Sequence, residues 1–113
     1  MPNTITVPSF PLDKIRGHKL LTKEIIRSLP PIGSTQGQGK NAIARVKFFT
    51  PSGSWTWYAT EMGVNYDFFG LVDGFEKELG YFSLQELATV RGNFGLPIER
   101  DRWFDPTPIG DLL

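Results

Sequence analysis

From Ala42 onward the chain keeps a period of two, and the turn chemistry of Pro51-Ser52-Gly53 interrupts it where a strand must reverse. This pattern constrains the fold more than any other feature. Ala42, Ala44, Val46 and Phe48 are expected on one face, with Ile43, Arg45, Lys47 and Phe49 on the other. The returning strand, Trp55 to Glu61, is expected to set Trp55, Trp57, Ala59 and Glu61 against Thr56, Tyr58 and Thr60. A third strand from Phe68 to about Phe75 alternates Phe69, Leu71, Asp73 and Phe75 with Phe68, Gly70, Val72 and Gly74. Two glycines on one face of a strand invite a backbone or an aromatic ring to pack directly over them.

Helix signals flank this sheet. Ser83 and Glu86 form a capping box, Phe82 and Leu87 take the staple positions, and Gly92 is placed to end the helix after about two turns. Upstream, Thr22 is an N-cap, Leu21 and Ile26 a staple, and Pro30-Pro31 a stop, which predicts a short helix whose core face is Leu21, Ile25, Ile26 and Leu29. Residues 1–18, broken by Pro2, Pro8 and Pro11, read as an extended arm. Gly33 to Lys40 reads as a flexible loop with an exposed lysine. A phosphate-binding loop fails there, because the first required glycine falls at Ser34 and Asn41 replaces the hydroxyl residue. One more short strand is expected within Ile98–Trp103. The expectation is a single α+β domain over residues 19–113: an antiparallel sheet of three to five strands with two short helices.

At 113 residues the chain can bury a core without a staple, and it holds no cysteine for a disulfide or thiolate chemistry. No apolar run approaches the roughly 18 residues of a membrane span, and the opening residues lack a secretory pattern, so a cytoplasmic protein with no membrane partner is expected. The zero formal net charge conceals a split. Through Lys47 eight cations face two carboxylates, and from Phe48 onward four cations face ten. Such asymmetry creates basic and acidic surfaces unless the two halves neutralise each other on folding.

Three constellations bear on chemistry. Trp55, Trp57 and Tyr58 could stack single-stranded bases, with Lys40, Arg45 and Lys47 supplying phosphate contacts, although alternating aromatics more often face a core. Arg100 and Arg102, within Glu99-Arg-Asp-Arg102 and ahead of Trp103-Phe104, could grip phosphate or carboxylate or simply join an internal ion-pair network. Glu61, Asp67, Asp73, Glu76 and Glu78 cluster in sequence, and a metal-dependent nuclease or other hydrolase would draw on Glu61, Asp73 and Glu76. His18, the single histidine, is expected at the surface. No cofactor and no catalytic residue is implied.

The run from Lys19 to Leu113 resembles the bacterial family catalogued as domain of unknown function 2958. The blocks that carry the likeness are Lys19-Leu-Leu-Thr-Lys-Glu24, Val46-Lys-Phe-Phe-Thr-Pro51, Trp55-Thr-Trp-Tyr58, Phe69-Gly-Leu-Val72, Gly74 through Ser83, and Gly95-Leu-Pro-Ile-Glu-Arg-Asp101 with Pro106-Thr-Pro108. The resemblance implies a small protein of plasmids, phages or integrated elements, encoded near anti-restriction or DNA-processing genes. It carries no activity or site residues across. The resulting expectation is a non-enzymatic accessory protein that binds a host defence or DNA-processing component, as protein or nucleoprotein, with direct nucleic-acid contact as one route. Anti-restriction and anti-CRISPR-like roles fall within it, and the metal-dependent hydrolase is the alternative.

Overall fold

The computed structural model describes residues 5–113, so Pro2 of the expected arm lies outside it. The chain is α+β. A five-stranded antiparallel sheet is ordered β5-β4-β3-β2-β6, from β2 (Val46–Phe49), β3 (Thr56–Met62), β4 (Asp67–Asp73), β5 (Lys77–Ser83) and β6 (Glu99–Arg100). A two-stranded ribbon pairs β1 (Ile43–Ala44) with β7 (Thr107–Pro108). Among the described residues three short α-helices accompany them: α1 (Asp13–Arg16), α2 (Lys23–Ser28) and α3 (Leu84–Thr89).

Register fixes which side chains share a face. Val46 lies opposite Ala59 and Phe48 opposite Trp57, while Ala59 meets Gly70 and Phe68 meets Phe82. This face carries the main core, which α2 and α3 close through Leu29, Leu84, Leu87 and Ala88. Phe68 sits between Phe48 and Phe82, with ring centroids 5.6 and 5.3 Å away. Phe48 and Phe68 have no exposed surface, and burying each such side chain contributes about 1.5–3 kcal/mol. Gly70 and Gly74 are both covered as their spacing suggests. A Cβ on Gly70 would stand 1.8 Å from the Tyr58 carbonyl oxygen, and one on Gly74 would stand 2.4 Å from the Trp55 ring.

The expected single face from Ala42 to Phe48 is instead split. Ala42 and Ala44 pack with Leu71 and Ile109 on the reverse side, whereas Val46 and Phe48 enter the main core. Arg45 is the corner at which the chain leaves the ribbon for the sheet, a bend that strand periodicity does not register. A second correction follows from a bulge. Register shifts between Ala59 and Glu61, so that Glu61 stands opposite Phe69 on the reverse face and not beside Trp57. An extra residue, Thr60, moves every later side chain to the other face.

Both helix N-caps match expectation: Thr22 Oγ1 accepts from the Ile25 N–H at 3.1 Å, and Ser83 Oγ from the Glu86 N–H at 3.1 Å. The C-terminus of α3 does not. The helix stops at Thr89 with Val90 extended, and Gly92 lies beyond it, donating its N–H to Leu96 O at 2.7 Å. The arm is also more than extended chain. Val7 and Phe10 pack on the main core, and α1 turns Arg16 inward, where it pairs with Asp13 at 2.6 Å and donates to Ala88 O at 2.8 Å. No helix among the described residues is long and apolar enough to cross a membrane.

Candidate functional site

Two of the recesses on the reverse side of the sheet differ in chemistry. The first, about 290 Å³, is lined by Thr35, Thr60, Glu61, Phe69, Leu79, Tyr81 and Ile109. Glu61 is only 3% exposed, and its carboxylate is already committed. Oε1 accepts from the Gly33 N–H at 2.7 Å, and Oε2 accepts from the Thr35 N–H at 2.8 Å and from the Thr35 hydroxyl. Burial alone would raise this carboxyl, but the Thr35 hydroxyl and the two backbone donors outweigh it and hold the group below its ordinary value. The consequence is structural. The Gly33–Lys40 segment, expected to be flexible, is tied to β3 by Glu61 and continues as a 3-10 turn over Gln36–Asn41.

Glu61 does not meet the other acidic candidates. Asp73 stands opposite Thr56 at the far end of β3, which places it roughly 16 Å along the strand from Glu61. Glu76 is exposed in the turn after β4. No group of three or more His, Cys, Asp or Glu side chains suited to a metal occurs among the described residues.

The second recess, about 350 Å³, opens where β6 flanks β2 and is lined by Lys47, Phe49, Glu99, Arg100, Asp101, Arg102 and Trp103. Its geometry follows from pairing. Phe48 lies opposite Arg100 and Phe49 opposite Glu99, and the Asp101 N–H donates to Lys47 O at 2.9 Å. Asp101 then holds the corner: Oδ2 lies 3.6 Å from Lys47 Nζ and Oδ1 accepts from the Trp103 N–H at 2.9 Å. Lys47 Nζ is also 5.8 Å from the centroid of the Tyr58 ring. Behind the recess, His18 is half-buried and not the surface residue expected. Its Nε2 accepts the Arg100 N–H at 3.1 Å, while Arg100 Nε donates to Lys19 O at 3.3 Å. Burial, with the neighbouring Arg100 and Arg102, lowers the imidazole below its ordinary value. Arg102 and Trp103 are left outward, with the indole 92% exposed.

The recess lining thus brings Lys47, Arg100 and Arg102 together, with the Arg100 side chain on the Phe48 side of β6 and its Nε bonded to Lys19 O, and leaves the other candidates elsewhere. Trp55 and Trp57 stack on each other at 5.9 Å on the core side, with Phe75 edge-on to Trp55 at 5.2 Å. Tyr58 points to the reverse face and contacts Phe104 at 5.7 Å, so the three hairpin aromatics do not form one platform. Arg45 sits at the corner before β2 with its Nε buried and unpartnered, and Lys40 lies against Gly110. Trp103 and His18 are the members of the site that the sequence pattern did not single out. The sequence signal for Trp103 was its position one residue after Arg102, whereas that for His18 is a contact across 82 positions.

Comparison with known families decides the relationship. The model of the family described as "Protein of unknown function (DUF2958)" matches residues 20–109. The chain belongs to that family. No curated protein and no solved structure matches it.

Proposed function

We propose that this DUF2958 protein is a binding protein without a reaction of its own, and that the recess beside β6 holds an anionic group of its partner. The observation that carries this reading is Trp103, 92% exposed, next to Arg102 and at the rim of a recess that also holds Arg100 and Lys47. Guanidinium groups take phosphate or carboxylate oxygens in bidentate fashion, and an indole offers a face for stacking. Asp101 is engaged by Lys47 and by the Trp103 N–H, which leaves Glu99 as the other carboxylate of the lining. The family resemblance supports a setting in mobile elements, where the partner would be a host defence or DNA-processing component, as protein or nucleoprotein.

The test is an affinity capture from host cells in parallel with and without nuclease, using the unmodified chain, Arg102→Glu and Trp103→Ala. Capture by the unmodified chain should fall in both variants, whose thermal unfolding should match the parent because neither side chain is buried. Nuclease sensitivity, with binding of short single-stranded oligonucleotides that weakens steeply with salt, would assign the anionic group to nucleic acid. Nuclease-resistant capture would assign it to a protein. Equal capture by both variants and the parent would overturn the site.

A further inference from the structure

We infer that β5 is a self-pairing edge, through which two copies of this chain join their five-stranded sheets into one continuous sheet. β5 ends the sheet, with β4 on one side and, among the described residues, no strand on the other. Its pairing with β4 is unbroken from Asp67↔Ser83 to Asp73↔Lys77, with no bulge and no proline to blunt the outer edge. The direction of its backbone groups follows from its two ends. The Leu84 N–H donates inward to Tyr66 O at 3.0 Å, and the Gly74 N–H to Glu76 O at 3.1 Å, so the even-numbered residues bond toward β4. By alternation Lys77, Leu79, Tyr81 and Ser83 turn their N–H and C=O groups outward.

Reversed about Gly80, the sequence of this edge, Lys-Glu-Leu-Gly-Tyr-Phe-Ser, sets apolar Leu79 against Tyr81, Glu78 against Phe82 and Lys77 against Ser83. A two-fold axis there places Leu79 opposite the second copy's Tyr81 as a hydrogen-bonded pair, and Gly80 opposite Gly80 as a non-hydrogen-bonded one. Leu79 and Tyr81 are 58% and 70% exposed in the single chain, on the same face, and would cover each other. Among the described residues nothing lies within 4 Å of a Cβ built on Gly80, so the close approach at the axis meets open space.

Charge selects the same register. Lys77 falls opposite the second copy's Ser83, whose hydroxyl lies 3.2 Å from Glu86 Oε1 and which pairs across β4 with Asp67. Asp67, Ser83 and Glu86 line a shallow recess of about 230 Å³. Each ammonium enters the other copy's acidic recess, giving up only an exposed contact to Leu112 O at 3.1 Å. The occupant of the edge is therefore a second copy.

Two measurements test this. The chain is free of cysteine, so Gly80→Cys introduces a single thiol at the axis, where the opposed Cα atoms stand about 4.5 Å apart, within disulfide range. Under mild oxidation this variant should form a dimeric disulfide much faster than Ser54→Cys, whose thiol sits in the exposed β2–β3 turn. In sedimentation equilibrium the parent should show a concentration-dependent dimer. Lys77→Glu should weaken it at least about tenfold, and Asp67→Lys added to it should recover most of that loss, since exchanging opposite charges restores the attraction. Circular dichroism checks that each variant is folded. A parent that stays monomeric at every concentration, Gly80→Cys linking no faster than the control, or a charge exchange that recovers nothing would overturn the proposal.

Discussion

Replacing Glu61 by glutamine exchanges one oxygen for nitrogen, and the effect can be worked out donor by donor. The retained amide oxygen can still accept the Gly33 N–H, now 2.7 Å from Oε1. The new NH₂ group faces Thr35, whose hydroxyl can rotate to accept but whose N–H, 2.8 Å from Oε2, cannot. One part-buried backbone donor is left without its partner at about 1 kcal/mol, the low end for an unsatisfied group, and the bonds that remain lose their assistance from charge, for a total of about 2 kcal/mol. In urea unfolding this is a midpoint shift on the order of 1 M, and amide exchange at Thr35 should accelerate more than exchange within β4. The acid limb supplies the sign. The folded state holds this carboxyl below its unfolded value, so its contribution is complete above that value and is lost as pH falls through the folded one. The gap between Glu61→Gln and the parent should therefore narrow in acid. A loss below about 0.5 kcal/mol at neutral pH, or unchanged exchange at Thr35, would refute the anchoring role.

Gly70→Ala must push a Cβ into the Tyr58 carbonyl, and we expect at least about 3 kcal/mol of destabilisation by chemical unfolding, whereas Gly80→Ala, with open space around it, should leave stability within about 0.5 kcal/mol. Ser83→Ala should cost about 1 kcal/mol by removing the acceptor for the Glu86 N–H, and an unchanged unfolding midpoint would count against the cap. His18 is held below its ordinary value by burial and then by Arg100 and Arg102, so the unfolded chain binds more protons in mild acid and stability should decline as pH drops below about 6.5. In His18→Gln, which keeps an acceptor for the Arg100 N–H, that slope should flatten, and a parent without it would refute the prediction. Trp57→Ala should destabilise the domain because the ring packs on the main core, and Trp103→Ala should not; equal effects in thermal unfolding would remove the distinction between them.

Much of the scaffold is written locally. The hairpin around Pro51-Ser52-Gly53, the caps at Thr22 and Ser83, the cover over Gly70 and Gly74 and a strand within Ile98–Trp103 each follow from a few neighbouring residues, because turn geometry, capping and pleat alternation are short-range. β5 escaped this reading. Its exposed side chains need not be apolar, and Phe82-Ser83 also serves the helix that follows, so its strand character appears only in its pairing with β4. β7 escaped for a similar reason, since Thr107-Pro108 can pair only at a ribbon edge.

The reverse side of the sheet was decided by tertiary structure. One added residue at Thr60 rotates Glu61 from the core side to the reverse side, and a corner at Arg45 sends Ala42 and Ala44 into a different cluster from Val46 and Phe48. Neither event changes the local alternation enough to be read from it. The recess beside β6 likewise depends on contacts between Lys47 and Asp101, and between His18 and Arg100, that are distant along the chain. By itself the sequence determined which residues alternate, cap and turn, because those properties belong to a few adjacent φ/ψ angles. Which charges meet, and which aromatic ring is left outward, was fixed only when strands far apart in sequence entered a common register.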